Sequence, residues 1–379
     1  VLRPALRPAA VAVAALLVVA AAPAPLDELN IDAAWAQTKG AGVTVALLHD
    51  RVGEPAELKG RVVQAPDMTG TFFEGDEMRV NDYSTVLAGL VAGDGAGGGR
   101  QGTAPEASVL SVPITAAPLD GDLVDPEAAP GTPLDSPIAR GVRYAVNHGA
   151  QVIVVPMGIF GVGRVERDAV AYALQRDVVI VSGAGDVGRW PSSTANGTSY
   201  WQFPAGFPGV IGVAAVDDAG VRAPDSSDNL SVLVAAPGVR VPAGQAGGRP
   251  PAVNGTQAAS AMVGGVAALI RSKFPRLPAE LVVRAMSDSA GPHPKNGYDD
   301  KIGFGVVNAA GALTRAGELA RYQPAAPVGD DLYFGGGPKS AGPQPPGADP
   351  LRLWVYGAGA VLSLAAFGLL AALLVRRRR

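Results

Sequence analysis

The stretch VNGTQAASAMVGGVAALI, Val253 to Ile270, is apolar on nearly every side once it passes Gln257; from Ala258 onward only Ser260 is polar. A helix without a wet face has to be buried. Ala258 to Ile270 is too short to cross a bilayer, which takes about 20 residues, so the spacing predicts a core helix. Asn254, Gly255 and Thr256 precede it as polar capping material, which puts Gln257 in the first turn. Unpaired N–H groups and the positive end of the helix dipole point outward there, a setting that stabilises an anion. Taken alone, the segment is first a buried helix of an α/β domain and only second a site.

Working outward, apolar runs alternate with helix-like stretches. Val43 to Leu48, Val109 to Ile114, Val152 to Val155, Val178 to Val181, Val210 to Val216 and Val232 to Ala235 have the β-branched content of strands. Thr85 to Ala92, Pro137 to Asn147, Glu166 to Gln175 and Pro278 to Ser287 have helical patterning, two of them with Pro at the start. This alternation predicts a parallel sheet covered by helices on both faces. Ligands of such sheets bind at the carboxyl ends of the strands.

The 379 residues include 48% hydrophobic and 17% charged side chains, enough to bury a substantial core. A net charge of −3 gives no basis for a nucleic-acid partner, and the absence of Cys removes disulfides, thiol catalysis and cysteine metal sites together. His49, His148 and His293 are too scattered for a histidine metal cluster. No cofactor and no metal are expected.

Both ends carry membrane signals. Arg3 and Arg7 lead into the uncharged run Ala9 to Ala22, followed by Pro23-Ala24-Pro25, so residues 1–25 are expected to be a signal peptide. An uncleaved anchor is the alternative, for which the run is short. Leu353 to Val375 is uncharged and closed by Arg376 to Arg379, with Trp354 and Tyr356 at one boundary. Residues 351–379 are therefore expected to form a transmembrane helix with a short Arg-rich cytoplasmic tail. Residues 322–350, rich in Pro and Gly, form a linker. The expected location is the cell membrane, single-pass, with the main domain, residues 26–321, outside and the C-terminus cytoplasmic.

A family comes into view at Gly255-Thr256-Gln257-Ala258-Ala259-Ser260-Ala261, which resembles the Gly-Thr-Ser-Met-Ala-x-Pro motif of subtilisin-like serine proteases. Gln257 stands where the nucleophile is expected, and a carboxamide cannot begin acyl-enzyme chemistry. Gly42 to Leu48 resembles the family's first strand, after which His49 stands in the aspartate position and Asp50 comes one residue late, on the opposite face of the strand. Tyr83-Ser84-Thr85-Val86-Leu87-Ala88-Gly89 resembles the His-Gly-Thr-His-Val-Ala-Gly motif, with Tyr83 in the general-base position. A phenol is protonated at neutral pH and takes no serine proton. Val178 to Asp186 resembles the strand ending Ala-Ala-Gly-Asn, with Asp186 replacing the oxyanion donor. Phe203-Pro204-Ala205, Ala235-Ala236-Pro237-Gly238 and Gly303-Phe304-Gly305 resemble further family segments in the same order.

The resemblance, from about Trp35 to about Leu313, implies a subtilisin-like three-layer α/β fold with a central parallel sheet, flanked here by the N-terminal signal segment and the C-terminal transmembrane helix. With the linker and anchor, the chain looks most like mycosins, the membrane-anchored proteases associated with type VII secretion. All three triad positions, His49, Tyr83 and Gln257, and the oxyanion position, Asp186, are substituted. This implies a pseudoprotease that binds or assembles, with the membrane and an extended peptide or secretion-system protein as partners; a drifting relic without a selected role is its bland companion. Substrate-like segments would pair along Val154 to Gly158, at Pro156 and Gly158. Two alternatives stand beside it. One is an active serine endopeptidase in which His49 recruits Ser84, Thr256 or Ser260; the other is an extracellular peptide-binding or adhesin module. His148 is expected to be an exposed cap residue, and His293 has no apparent partner.

Overall fold

The computed structural model describes residues 25–69, 81–115, 136–242, 252–321 and 350–377. The expected signal peptide and linker lie, apart from their innermost residues, outside the described residues. The chain divides into two units, Val1–Tyr322 and Gln323–Arg379.

In the first unit seven parallel strands form one sheet: β1 (Thr44–His49), β2 (Val62–Gln64), β3 (Ser108–Pro113), β4 (Val152–Val155), β6 (Val179–Gly183), β8 (Val210–Val216) and β9 (Val234–Pro237). Their order is β2-β3-β1-β4-β6-β8-β9. From β1 the chain goes to the edge strand β2, returns to place β3 between them, and then builds outward from β4 to the other edge. The strand order reverses between β1 and β4, which is where open parallel sheets hold their ligands. Two short strands, β5 (Ile159–Phe160) and β7 (Gln202–Phe203), make an antiparallel ribbon beyond β4.

Alternate residues of each strand feed opposite cores. Val45, Leu47, Val152, Val154, Val179, Val181, Ile211 and Val213 pack on one face with α3 (Asp82–Ala92), α7 (Thr256–Lys273), α8 (Ala279–Ser289) and α9 (Ala309–Leu319). On the same side lie the short N-terminal α1 (Pro25–Glu28) and α2 (Ile31–Trp35). Ala46, Leu48, Ile153, Val155 and Ile180 pack on the other face with α4 (Pro137–Asn147) and α5 (Arg164–Leu174). The remaining helix of this unit, α6 (Pro191–Asn196), follows β6. Double burial explains the unbroken Val/Ile/Leu runs, since neither strand face meets water.

The central helix is as expected in kind and longer in extent. Thr256 and every residue from Ala258 to Arg271 are buried. Met262, Leu269 and Ile270 are fully inside, where truncating such a side chain to Ala costs about 2–5 kcal/mol. Its capping differs from the expectation. Gly255, at φ 100°, precedes the helix and supplies no side-chain cap, while Asn254 Oδ1 accepts from Arg240 N at 2.7 Å. The cap is instead tertiary: Asp186, just past β6, accepts from Thr256 N at 2.8 Å. By contrast, α4 is capped locally, with Ser136 Oγ accepting from Ala139 N and Pro137 at its first turn. The strands β4 and β8 match their expected spans, and β1, β3, β6 and β9 are displaced from theirs by one or two residues. The sequence reading contains no counterpart of β2, β5, β7, α1, α2, α6 or α9.

The second unit contains α10 (Pro350–Arg377), whose described side chains are 354–368 and 376, all exposed. Among the described residues, no helix is long and apolar enough to cross a membrane.

Candidate functional site

His49 is the last residue of β1, so the sheet register carries its ring to the carboxyl edge, at the reversal of strand order. Beside it, α3 starts at Asp82 because Asn81 caps it, accepting from Tyr83 N at 2.7 Å and from Ser84 N at 3.4 Å. Gln257 is delivered by the first turn of α7, and Asp186 by the segment after β6. The four positions singled out in the sequence thus converge.

His49 is 5% exposed and engaged on both ring nitrogens: Nδ1 lies 2.7 Å from Ser84 Oγ, and Nε2 lies 3.2 Å from Gln257 Oε1. With the carboxamide oxygen accepting, the network assigns the proton to Nε2, and Nδ1 accepts the Ser84 hydroxyl. Asp50 Oδ2 lies 3.5 Å from the same Nδ1, while its hydrogen bond comes from Asn81 Nδ2 at 2.7 Å. A serine relay places nucleophile and carboxylate on opposite ring nitrogens. Here Ser84 and Asp50 share one nitrogen, the other faces an amide, and Ser84 is fully buried.

Tyr83 packs its ring 5.9 Å from that of His49 and donates its hydroxyl to Asn254 O at 3.4 Å. Burial, reinforced by the Asp186 carboxylate, pushes its phenol up to about 12, further from base chemistry than an ordinary tyrosine. Burial likewise raises the Asp186 carboxyl, with the hydrogen bonds from Thr256 pulling the other way. Asp186 Oδ1 is an acceptor already bonded to Thr256 N, at the position where the sequence resemblance expects an oxyanion donor.

The other hydroxyls are committed as well. Thr256 Oγ1 accepts from Gly185 N at 3.2 Å, and Ser260 Oγ donates to Gln257 O at 2.9 Å, both side chains fully buried. His148, exposed at the C-cap of α4, stacks on Tyr144 at 3.7 Å and bonds Tyr144 O. His293, expected to be unpartnered, has its Nδ1 3.0 Å from Phe304 O.

At the end of β4, Pro156 is buried and Gly158 is half-buried. A Cβ at Gly158 would meet Phe203 O at 2.8 Å and Gln202 Cβ at 3.0 Å, so only glycine lets β7 approach. Asn81, which both caps α3 and holds Asp50, was missed in the sequence although an Asn before Asp82 is a helix-start signal. The pairing of Asp186 with Thr256 carries no local signal, because the partners are far apart in the chain.

With this geometry in place, comparison with known proteins is informative. The model of the Subtilase family (Peptidase_S8) matches residues 40–305. Fervidolysin of Fervidobacterium pennivorans is 30% identical over 74% of this chain and 42% of its own length. Mycosin-4 of Mycobacterium tuberculosis is 30% identical over 75% of this chain and 68% of its own length. Among solved structures, that of the MycP3 protease from the type VII (ESX-3) secretion system superposes with a TM-score of 0.62 at 29% identity, covering 77% of this chain and 88% of that one. The match therefore spans less than half of fervidolysin and about two thirds of mycosin-4.

Proposed function

The chain belongs to the subtilase family, and on that premise we propose that it is a mycosin-like pseudoprotease, tethered to the membrane, that binds an extended segment of a partner without cutting it. The observation that carries this reading is the state of His49. Its two nitrogens are taken by a buried serine and by the carboxamide in the nucleophile position. Acyl transfer needs an accessible nucleophile with a base in reach and donors for the oxyanion; Gln257, Tyr83 and Asp186 offer none of the three. Strand addition to exposed backbone draws its affinity from main-chain hydrogen bonds and needs no catalytic side chain. The Met157 and Gly158 amides, which donate to no backbone carbonyl among the described residues, support that mode.

The membrane tether rests on the uncharged run Leu353 to Val375 and its terminal Arg cluster. The link to type VII secretion rests on the likeness to mycosins and to the MycP3 protease. A second reading, hydrolysis by a relocated nucleophile, is favoured by one observation, the short contact between Ser84 and His49. Full burial of Ser84 weighs against it.

Incubation of the full-length protein with a peptide library, followed by mass spectrometry, separates the two readings. The proposal expects peptides retained by the protein and recovered intact. Cleavage products that vanish in Ser84→Ala would replace it with the second reading.

A further inference from the structure

The amino ends of β1, β4 and β6 border a cavity of about 380 Å³ at the end of the sheet away from His49. Val43, Gln151 and Val178, each the residue before its strand, line it. The six residues of β1 put about 20 Å of strand between this cavity and His49, so an occupant leaves the cleft free. Its charged lining residues are Arg176, Asp177 and Arg271, two guanidiniums against one carboxylate in a chain whose net charge is −3.

The polar groups of the lining are unevenly used. Every side-chain acceptor is engaged: Gln151 Oε1 by Thr44 N at 2.8 Å, Asp177 Oδ1 by Ala279 N at 2.5 Å, Asp177 Oδ2 by Arg271 Nη1 at 3.3 Å, and Ser272 Oγ by Thr38 Oγ1 at 3.0 Å. Donors are left over. The Ala41 and Gly42 amides, in an exposed turn, have no partner among the described residues. Arg176 holds its guanidinium 3.5 Å over the Tyr172 ring and donates only through Nη1, to Tyr172 O at 3.3 Å. Arg271, 3% exposed, donates through Nη1 and Nη2 to Asp177 and to Leu277 O, and its Nε is buried without a partner. The carboxyl ends of α4, α5 and α7 meet at this cavity, and such ends attract cations. That accounts for the arginine bonds to backbone carbonyls and leaves the spare donors unexplained. The three negative helix ends also disfavour a multiply charged guest.

We propose that the cavity binds a phosphodiester, its singly charged phosphate held by Arg176 and the Ala41 and Gly42 amides with the Arg271 charge behind them. A lining with spare donors and spent acceptors selects a group that only accepts. Guanidiniums form strong charge-assisted hydrogen bonds with phosphate oxygens. One negative charge balances two guanidiniums and one carboxylate, whereas a phosphate monoester carries about −1.5 to −2. The volume lies in the range of about 300–1,000 Å³ usual for small-molecule pockets, which leaves room for both ester substituents beside the oxyanion. A lipid headgroup and a soluble phosphodiester share this chemistry.

The test uses the full-length protein in a phosphorus-free detergent, with binding read by broadening of the ligand's phosphorus NMR signal. The probes are glycerophosphoglycerol, a soluble diester, and dihexanoyl phosphatidylglycerol, the same headgroup with short acyl chains; acetate serves as competitor. Wild type should bind at least one diester saturably. Tighter binding of the lipid identifies a membrane source and tighter binding of the soluble probe a free one, and either result supports the site. Arg176→Gln should weaken binding by about tenfold, as expected for the loss of a hydrogen bond to a charged group, with Arg176→Lys between it and wild type. Ala41→Asp, which sets a carboxylate beside the phosphate, should abolish binding. Both positions are exposed, so neither substitution opens the core. Absence of broadening for both probes with wild type, affinities unaltered in Arg176→Gln and Ala41→Asp, or displacement of the diesters by equimolar acetate would each overturn the proposal.

Discussion

Asp186 Oδ1 accepts the backbone N–H of Thr256 at 2.8 Å, so the first turn of the central helix is capped by a carboxylate from the end of β6. The anion favoured at that helix start is part of the protein. This bond anchors the first turn, which carries Gln257, and commits one oxygen of Asp186 as an acceptor. Gly255 makes it sterically feasible: at φ 100°, a Cβ there would sit 2.7 Å from Asp186 Oδ2.

Removing the cap should therefore cost stability. Asp186→Ala is expected to lose about 0.5–2 kcal/mol in urea unfolding, the usual range for a helix cap, and Asp186→Asn less because an acceptor remains. Gly255→Ala should destabilise as well, through the positive φ and the contact with Asp186. Unfolding of Asp186→Ala at the wild-type urea midpoint would show the cap to be idle.

Glu28 makes stability depend on pH. Burial first, then Asp218, Asp217 and Asp27, raise its carboxyl from 4.5 to about 7. The folded state thus holds the proton more tightly than the unfolded chain, so this contribution is complete below about 4.5 and is lost as pH rises through about 7. Glu28→Gln should raise the thermal midpoint at pH 8 relative to wild type and flatten its fall between pH 5 and 8. An equal fall in both proteins would remove Glu28 as the cause.

The proposed tether predicts a topology. Protease added to intact protoplasts should shave the domain at residues 26–321 while sparing a tag placed after Arg379. A digested tag would place the C-terminus outside.

Restoring a serine at position 257 should not restore hydrolysis. Gln257 reaches His49 Nε2 through its terminal amide oxygen at 3.2 Å, and a serine oxygen sits two bonds nearer its own backbone, beyond hydrogen-bond reach. Tyr83 is no base, and Asp186 would face the developing oxyanion. In subtilisin, a member of this family, triad residues act as a unit and their losses are strongly non-additive. Gln257→Ser is expected to cleave chromogenic peptides no faster than buffer, and turnover above that background would reveal a base other than Tyr83.

Much of this was legible in the sequence because the information is local. Doubly buried strands such as Val152 to Val155 and Val210 to Val216 show as unbroken apolar runs, and α4 shows its Pro137 and its apolar face. His49, Tyr83, Asp186 and Gln257 could be singled out because each lies in or directly after a short segment with a recognisable pattern. What could not be read is tertiary. The cap on α7 comes from Asp186 rather than from Asn254, and the Nδ1 of His49 finds Ser84 across two elements. The three-residue β2 is too short to show a pattern, and its burial is only partial.

The central claim is that no nucleophile in this cleft can be activated, and labelling by a fluorescent fluorophosphonate tests it most directly. Full-length protein, wild type and Ser84→Ala, is incubated with the reagent beside an active subtilase and resolved by gel. The account predicts no labelled band for either form while the control labels strongly. A wild-type band that disappears in Ser84→Ala would contradict it, because the buried serine on His49 would then be a working nucleophile.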